Sequence, residues 1–271
     1  MGRHVEYCPI ALGVEIVGDR WTPLVIRELG VGASGFNEIH RGLPRLSRTL
    51  LAQRLRMLER RGLVRRAPAP RGQQVRYSLT EAGQALSPVV WAIGQWAAEW
   101  MFGDPTDEEC DGLGLMWRLH QCAIAGVLPE RRTVVHLVLT GAGAAEGWLD
   151  IDDGAVTVCR EAPGRDDDLT LEAETAHLLR WLMGMASFRE LRTNGQVRML
   201  GPAGLVREFP DWFNTGVFAE SLGRGRQRRT QTSAPSAPSA PSARDVVPAA
   251  VRQGVPAAQE TLPAVQEALP A

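Results

Sequence analysis

The chain has 271 residues and a mass of 29.6 kDa, and its 44% hydrophobic and 23% charged residues are typical of a globular protein of about two domains. No stretch reaches the roughly 18 consecutive apolar residues of a transmembrane helix, and we expect no secretory signal. The net charge of −1 conceals an asymmetry, since residues 1–103 hold 14 arginines against 8 acidic residues and residues 104–220 hold 10 against 20. The basic first part predicts an anionic partner.

The four cysteines are Cys8, Cys110, Cys122 and Cys159, and no two of them form a C-x-x-C pair. This spacing argues against a disulfide scaffold and against a structural zinc site. We therefore expect reduced thiols, a cytoplasmic location, and neither a metal ion nor a cofactor.

A helix-turn-helix unit is predicted where positive charge is densest, in residues 41–76, which contain 11 arginines and one acidic residue. Residues 36–43 are predicted to form its first helix. The second helix begins after Ser47, a good N-cap residue, and ends at Gly62. Leucines recur at helical spacing along one side of this second helix, so its Thr, Gln and Arg residues are predicted to face outward.

Two short strands, residues 63–66 and 74–79, follow this helix and are joined by a loop that contains proline and glycine. Apolar and polar residues alternate in the second strand, which predicts a half-buried hairpin. A polar helix followed by an arginine-bearing hairpin is the pattern of a winged helix-turn-helix domain.

This pattern predicts DNA binding, because such a helix fits the major groove, where arginine pairs with guanine and glutamine with adenine. Arginines of the hairpin would meet phosphates or the minor groove. The alternative is an ordinary solvated surface, since all 30 basic residues of the chain are arginine. The predicted DNA-binding residues are Ser47, Arg48, Thr49, Ala52, Gln53, Arg56, Arg60, Arg65, Arg66, Arg71, Gln74 and Arg76.

The first part of the chain resembles the HxlR-type winged helix domain of bacterial transcription regulators, over about residues 5–102. The motifs that carry the resemblance are, in order, Cys8-Pro9, Gly18-Asp-Arg-Trp-Thr22, Phe36-Asn-Glu-Ile39, Leu46-Ser47, Leu55-Arg-Met-Leu-Glu59, Gly62-Leu-Val-Arg65 and Tyr77-Ser-Leu-Thr-Glu-Ala-Gly83.

The resemblance implies a homodimer on a two-fold related operator, with the last helix of the domain, residues 80–101, at the dimer interface. An apolar stripe on this helix fits that role, although it could instead pack on its own domain. The resemblance also implies that Cys8 could sense oxidants or electrophiles, the alternative being a buried, inert thiol. The stripe residues are Leu86, Val90, Ile93, Trp96 and Ala97.

The acidic part, residues 104–221, is predicted to mix helices and strands. The predicted strands are residues 133–140, 146–151, 155–160, 168–174 and 196–200. The predicted helices are residues 113–124, residues 176–186 with Thr175 as N-cap, and residues 202–213.

This order of elements resembles the SCP2-like (sterol carrier protein 2) lipid-binding fold over about residues 115–219. The residues that carry the resemblance are Gly147-Trp-Leu149, Ala155-Val-Thr-Val-Cys159, Asp168-Leu-Thr-Leu171, Leu182-Met-Gly184, Thr193-Asn-Gly195-Gln-Val-Arg-Met-Leu200-Gly201 and Phe209-Pro-Asp-Trp212.

The resemblance implies an apolar tunnel between sheet and helices that accepts a lipid without catalysis. Met and aromatic side chains suit such a site, although at helical spacing they are equally typical of a core. No nucleophile elbow, dinucleotide fingerprint, P-loop or metal-ligand spacing is present in the sequence, so we expect no enzymatic activity. The predicted ligand-binding residues are Trp148, Trp181, Met185, Phe188, Trp212 and Phe213.

The predicted fold class is α+β. It combines a winged helix-turn-helix domain (residues 1–103), an SCP2-like α/β sandwich (residues 104–221) and a disordered tail rich in Pro and Ala (residues 222–271), where the sequence repeats Ala-Pro-Ser. The predicted function is a homodimeric, sequence-specific DNA-binding regulator controlled by an apolar, lipid-like ligand.

Three alternatives stay open at this point. A regulator could instead be switched through Cys8. The protein could be a lipid carrier whose first domain only dimerises, or an interaction scaffold that acts through its acidic domain. The expected partners are double-stranded DNA, a second copy of the chain and an apolar small molecule or lipid, but not a membrane.

Overall fold

The computed structural model describes residues 7–67 and 74–232. Their first part contains five helices and one hairpin among the described residues. These elements are α1 (Pro9–Val17), α2 (Thr22–Gly30), α3 (Phe36–Gly42), α4 (Arg48–Arg60), β1 (Val64–Ala67), β2 (Arg76–Leu79) and α5 (Glu81–Trp100).

Local chemistry sets where these elements begin and end. The Ser47 hydroxyl accepts a hydrogen bond from the backbone N–H of Leu50 at 3.2 Å and starts α4. The Thr80 hydroxyl does the same for α5, through the N–H of Gly83 at 3.2 Å. After α4, Gly62 adopts a φ of +70°, a conformation that glycine tolerates best, and the chain turns into the hairpin.

The helix-turn-helix core forms between α2, α3 and α4. Leu51, Leu55 and Leu58 of α4 are fully buried in it, as their spacing predicted. The strands β1 and β2 pair antiparallel, with Val64 opposite Leu79. The prediction of a winged helix-turn-helix domain is therefore confirmed.

The second part places mixed helices and strands after residue 104. Its helices are α6 (Gly112–Cys122), α7 (Thr175–Leu182), α8 (Phe188–Thr193), α9 (Ala203–Glu208) and α10 (Ala219–Thr232), with short 3-10 turns at Ala125–Val127 and Phe209–Trp212. Its strands are β3 (Thr133–Thr140), β4 (Ala145–Asp152), β5 (Ala155–Cys159), β6 (Leu169–Glu174) and β7 (Val197–Leu200).

The five strands form one sheet in the order β5-β4-β3-β6-β7, in which β3 and β6 run parallel and the other pairs run antiparallel. Alternate strand residues such as Leu137, Leu149 and Leu171 are fully buried and pack against α6, α7, α8 and the Phe209–Trp212 turn. The opposite face carries more polar side chains. This mixed helix and sheet region fits the predicted α+β class, and its SCP2-like identity remains a prediction.

The predicted helix over residues 176–186 is wrong in both its cap and its length. Glu174 occupies the N-cap position of α7, and Thr175 is instead the first helical residue, whose hydroxyl donates to carbonyls in the β3–β4 connection. The helix ends at Leu182 because Gly184 adopts a φ of +76°. A separate short helix, α8, then starts at a capping box formed by Ser187 and Glu190.

Two further boundaries need correction. The predicted helix over residues 202–213 is divided into α9 and the Phe209–Trp212 turn, because Pro210 has no N–H to continue the α-helical pattern. The predicted tail begins too early, since α10 continues to Thr232 and buries Leu222. The rest of the predicted tail, residues 233–271, lies outside the described residues.

Candidate DNA-binding surface

Helix α4 presents a polar face opposite its buried leucines. Arg48, Thr49, Gln53, Arg56 and Arg60 are exposed, and Ala52 is half-buried among them. The small Ala52 side chain leaves room for close approach to a groove. This face has the arrangement that a recognition helix needs, with hydrogen-bonding side chains outward along one side.

Several arginines of the basic region are held by partners within the protein. Arg54 forms an ion pair with Asp19 at 3.2 Å, and Arg61 pairs with Glu15 at 3.0 Å. Arg48 donates to the side-chain oxygen of Asn37 at 3.0 Å. The predicted set did not include Arg54 or Arg61, and their internal partners explain why they add little free charge to the surface.

Four arginines of the helix and hairpin are exposed and have no carboxylate partner among the described residues, so they can contact DNA. Arg56 and Arg60 on α4 and Arg65 and Arg66 on β1 are exposed, and none of them forms an ion pair within residues 7–67 and 74–232. Guanidinium groups without a carboxylate partner are the groups that bind phosphate or guanine most readily. Two of them thus lie on the recognition helix and two on the first strand of the hairpin that follows it.

The hairpin is anchored to the helix-turn-helix by its second strand. The backbone N–H of Tyr77 donates to the carbonyl of Ser34 at 2.7 Å, and Arg76 donates to the hydroxyl of the same serine at 2.7 Å. Arg76 is thus directed toward the start of α3. Gln74 is exposed before β2, and Arg71 lies outside the described residues.

Helix α3 is fixed at its start by an acidic cap. The carboxylate of Glu38 accepts hydrogen bonds from the backbone N–H groups of Gly35 and Ser34, each at 2.9 Å. These bonds lower the pKa of Glu38 below its usual range, and Arg76 adds a smaller effect in the same direction. The cap sets the orientation of the helix that precedes α4.

Four of the predicted ligand-binding side chains pack tightly against one another. Trp181, Phe188, Trp212 and Phe213 are all buried, and together with Phe209 they form ring pairs whose centroids lie 4.9 to 6.5 Å apart. We call these five residues the aromatic cluster. It lies between the sheet and its helices and belongs to the core of the second domain.

The structure does not bring the other two predicted ligand residues into this cluster. Trp148 lies on the opposite face of β4 from the buried Leu149, where its ring stacks on His136 at 4.6 Å and its N–H donates to Asp167. Met185 follows α7, and its carbonyl accepts a hydrogen bond from Arg226. Strand alternation alone could have separated Trp148 from the cluster.

The aromatic cluster lines neither of two open clefts that the described part of the chain contains. One, of about 440 Å³, lies between the end of α2, β2 and α5, and the other, of about 720 Å³, lies beside Arg132 and residues 163–168. Residues 7–67 and 74–232 contain no group of three or more His, Cys, Asp or Glu side chains placed to hold a metal ion. No helix among these residues is long and apolar enough to cross a membrane.

Cys8 lies at the N-cap position of α1 and is half-buried. The other three cysteines are also free thiols, and burial raises the pKa of Cys110, Cys122 and Cys159. Those three thiols are therefore held in their protonated, less reactive form.

Comparison with known proteins agrees with this geometry. The HxlR-like helix-turn-helix family matches residues 16–104. YvaP of Bacillus subtilis (strain 168), described as an uncharacterized HTH-type transcriptional regulator, is 40% identical over 103 residues, which are 37% of this chain and 94% of YvaP. This chain belongs to the HxlR-like helix-turn-helix family. YodB, an HTH-type transcriptional regulator of the same organism, is 36% identical over 106 residues, which are 38% of this chain and 93% of YodB.

Two solved structures are similar to about a third of this chain and match nearly their own full length. The reduced form of YodB has 35% identity and a TM-score of 0.32, and covers 35% of this chain and 96% of its own. The redox regulator HypR in its oxidized form has 32% identity and a TM-score of 0.32, and covers 33% of this chain and 94% of its own. The family match and the sequence identity to YvaP and YodB support DNA-binding transcription regulation for the first domain.

Sequence reasoning missed a buried polar network that joins the two domains. Glu28 of α2 is completely buried and contacts Arg118 and Gln121 of α6. A signal was present, because Glu28 falls between apolar residues on the core side of α2, beside Val25 and Leu29. An ionised residue at a core position needs partners, and these were too distant in sequence to identify.

Proposed function

We propose that this HxlR-type chain is a homodimeric, sequence-specific transcription regulator that acts by binding and not as an enzyme. The observation that carries the proposal is that Arg56, Arg60, Arg65 and Arg66 are exposed and form no ion pair with any described residue, while Gln53 is exposed on the same helix as Arg56. Such arginines suit phosphates along a groove while Gln53 and Arg56 contact base edges. Its DNA target implies a cytoplasmic location.

A salt titration tests DNA binding. The full chain is titrated against labelled DNA from the upstream region of its own gene, with a scrambled duplex of equal length alongside. We expect tighter binding to the upstream DNA and a steep decrease in affinity with salt on both duplexes. Equal, weak binding to this DNA and to any duplex selected from a random pool would contradict the proposal.

The proposal of a homodimer rests on exposed apolar side chains of α1 and α5. On α1, Ile10 is 77% exposed, and on α5 Trp96 is 58% exposed, with Ile93 and Trp100 nearby. Ile93, Trp96 and Trp100 recur at helical spacing on α5, and monomeric proteins seldom leave several large apolar side chains on one helix face in water. Only part of the predicted stripe is open to such an interface, because Leu86 and Val90 pack against the core of their own domain. The occupant we propose for the exposed part is a second copy of the chain.

Substitution at this surface tests the dimer. Trp96→Glu places a charge in the proposed interface and is expected to convert the dimer to a monomer in light-scattering measurements of mass. Leu200→Glu, at an exposed leucine on β7, is the matched control and should leave the mass unchanged. A monomeric wild-type chain, or a Trp96→Glu variant that remains dimeric, would contradict this interface.

For the second domain we propose an SCP2-like fold that binds an apolar, lipid-like ligand. The aromatic cluster lies between the sheet and the helices, where the resemblance locates the ligand. Because its rings fill this region, a ligand must displace some of them, and DNA affinity would change if the two packings differ in their fit to operator DNA.

Lipid extraction of the purified chain tests this part and distinguishes it from the rivals. A bound lipid whose removal changes operator affinity supports a ligand-controlled regulator. A bound lipid with no effect on DNA, in a chain with no operator preference, indicates a carrier instead. Specific DNA binding with no lipid bound leaves the acidic domain as an interaction module and contradicts ligand control.

A second candidate is control through Cys8, favoured by its place at the start of α1, the helix with the exposed apolar face. Oxidation there would change the surface that the second copy is proposed to cover. Treatment with diamide should then weaken operator binding by the wild type and not by Cys8→Ser. An equal response of both proteins would contradict thiol control.

A further inference from the structure

The carboxylate of Glu28 is shared between the two domains. It has no exposed surface, and its oxygens accept four hydrogen bonds. Arg27 of the same helix donates two of them, at 3.1 and 2.6 Å. The other two come from α6 of the second domain, where Arg118 and Gln121 each donate at 2.7 Å. Half of the donors to this buried charge therefore lie outside the DNA-binding domain.

Arg118 also contacts the first helix of the helix-turn-helix. Its guanidinium donates to the carbonyl of Gly42, the last residue of α3, at 2.6 Å. Carbonyls at a helix C-terminus lack partners within the helix and favour a nearby positive charge. Gly42 also permits the close approach of the Glu28 carboxylate to α3, because a Cβ atom at Gly42 would lie 1.8 Å from a carboxylate oxygen of Glu28. One guanidinium thus joins α2, α3 and α6.

The opposite side of α6 belongs to the second core. Leu115, Met116 and Leu119 are buried there. At the end of α6, the carbonyl of Cys122 accepts a hydrogen bond from the N–H of Asn214 at 2.7 Å, directly after the aromatic cluster. A rearrangement of this cluster would therefore displace α6 and, with it, the side chain of Arg118.

Two more contacts hold the same boundary. The guanidinium of Arg41, on α3, lies 5.5 Å from the ring of Trp117, on α6. Arg45, in the turn between α3 and α4, donates to the backbone carbonyl of Glu108 at 2.7 Å. The contacts of α6 and the preceding segment thus reach α2, α3 and the turn before the recognition helix. They leave the outward face of α4 open.

We propose that Arg118 is a positioning residue for DNA recognition, which sets α3 against α2 and so orients α4, and that α6 transmits the packing of the second domain to this position. The inference rests on the proposed function and deepens it. Arg118 and Gln121 lie beyond residues 16–104, which the family matches, so this contact is an addition made by the second domain. Removing Arg118 leaves a buried carboxylate with fewer donors, which favours movement of α3.

The test compares two arginine substitutions in the second domain. Arg118→Met removes the proposed contact and keeps an unbranched side chain. Arg132→Met is the matched control, because Arg132 also pairs closely with a carboxylate, that of Asp150 at 2.9 Å, but does so within the second domain. Gln121→Met is a milder variant in case Arg118→Met does not fold, and Arg118→Lys restores the charge without the two-armed geometry.

Two readouts are measured well below the melting transition, where circular dichroism shows each variant folded. For Arg118→Met we expect about tenfold weaker binding to operator DNA, with little change on scrambled DNA because the exposed arginines remain. We expect faster amide hydrogen exchange in α3 and α4 of the DNA-free protein. In both readouts, Arg118→Lys should lie between the wild type and Arg118→Met. Gln121→Met should show a smaller effect than Arg118→Met, and Arg132→Met should match the wild type.

The outcomes separate this inference from the proposed function. Operator affinity and exchange in Arg118→Met that both equal those of Arg132→Met would overturn the positioning role while leaving the regulator intact. An equal loss on operator and scrambled DNA would also overturn it. A wild-type chain without operator preference would overturn the proposed function and with it the DNA-positioning role, whatever the exchange data show about the domain contact.

Discussion

The face of α4 and the aromatic cluster are two candidate binding regions that the fold treats in opposite ways. On α4, Gln53, Arg56 and Arg60 are exposed and ready to contact a ligand without rearrangement. In the cluster, Trp181 and Trp212 are buried against other rings. DNA would therefore meet a preformed surface, whereas an apolar ligand would have to open a packed core. The cost of opening that core limits how tightly such a ligand binds.

The largest expected effect on stability concerns the packed aromatic cluster. Trp212→Ala should lower the free energy of unfolding by about 3–5 kcal/mol, because it empties a fully buried site. Trp148→Ala, in the half-buried ring stacked on His136, should cost about 1 kcal/mol. Urea unfolding followed by circular dichroism measures both. Similar small losses in the two variants would mean that the cluster is not a packed core.

The next largest effect concerns DNA recognition by the exposed face of α4. The double variant Gln53→Ala and Arg56→Ala should lose about 2 kcal/mol or more of its preference for operator over scrambled DNA, because each contact with a base edge contributes about 1–3 kcal/mol. Fluorescence anisotropy on both duplexes measures this preference. Arg189→Ala, at an exposed arginine of α8, is the control for lost charge. An unchanged preference in the double variant would remove α4 from base recognition.

The hairpin arginines sharpen the contrast further, because they are expected to contact phosphates and not bases. Arg65→Ala with Arg66→Ala should weaken binding to operator and scrambled DNA alike. The slope of log affinity against log salt should become shallower by about 2, or close to one per lost phosphate contact. A salt titration of the variant beside the wild type provides the measurement. A slope equal to that of the wild type would place these arginines away from the DNA.

The same contrast explains what the sequence could predict. The recognition helix depends on signals within a few residues, namely the Ser47 cap, the leucine spacing and Gly62, so its boundaries and its exposed face were predictable. The sheet strands were also predictable from alternation. The end of α7 was not, because Gly184 follows several residues that read as a continuing helix.

Side-chain neighbours across the fold could not be predicted, since they depend on contacts between distant segments. The sequence alone does not distinguish the surroundings of Trp148 from those of Trp212. Trp148 lies on the outer face of the sheet, whereas Trp212 lies in the core. The Glu28 network needs α2 and α6 side by side, and its hydrogen bonds join Glu28 to Arg118, 90 positions further along the chain, and to Gln121, 93 positions further.

The smallest expected effect depends on pH and concerns the helix that supports α4. Hydrogen bonds from Gly35 and Ser34 lower the pKa of Glu38 in the folded state, so this cap stabilises the fold above the ordinary carboxyl pKa of about 4.3 and is lost as pH falls through the lowered value. Glu38→Gln should therefore cost about 1 kcal/mol at neutral pH and progressively less in acid. Urea unfolding at a series of pH values measures it, with Glu59→Gln as the control. A difference from the wild type that does not vary with pH would contradict this role of the charge.

The most direct test of the central claim is a hydroxyl-radical footprint of the full chain on the DNA upstream of its gene. A homodimer that reads DNA through α4 should protect two half-sites related by two-fold symmetry, with centres about one helical turn or a small multiple of it apart. The double variant of Gln53 and Arg56 should protect neither half-site. Uniform protection along the DNA, or protection that the double variant reproduces, would contradict sequence-specific recognition by this surface.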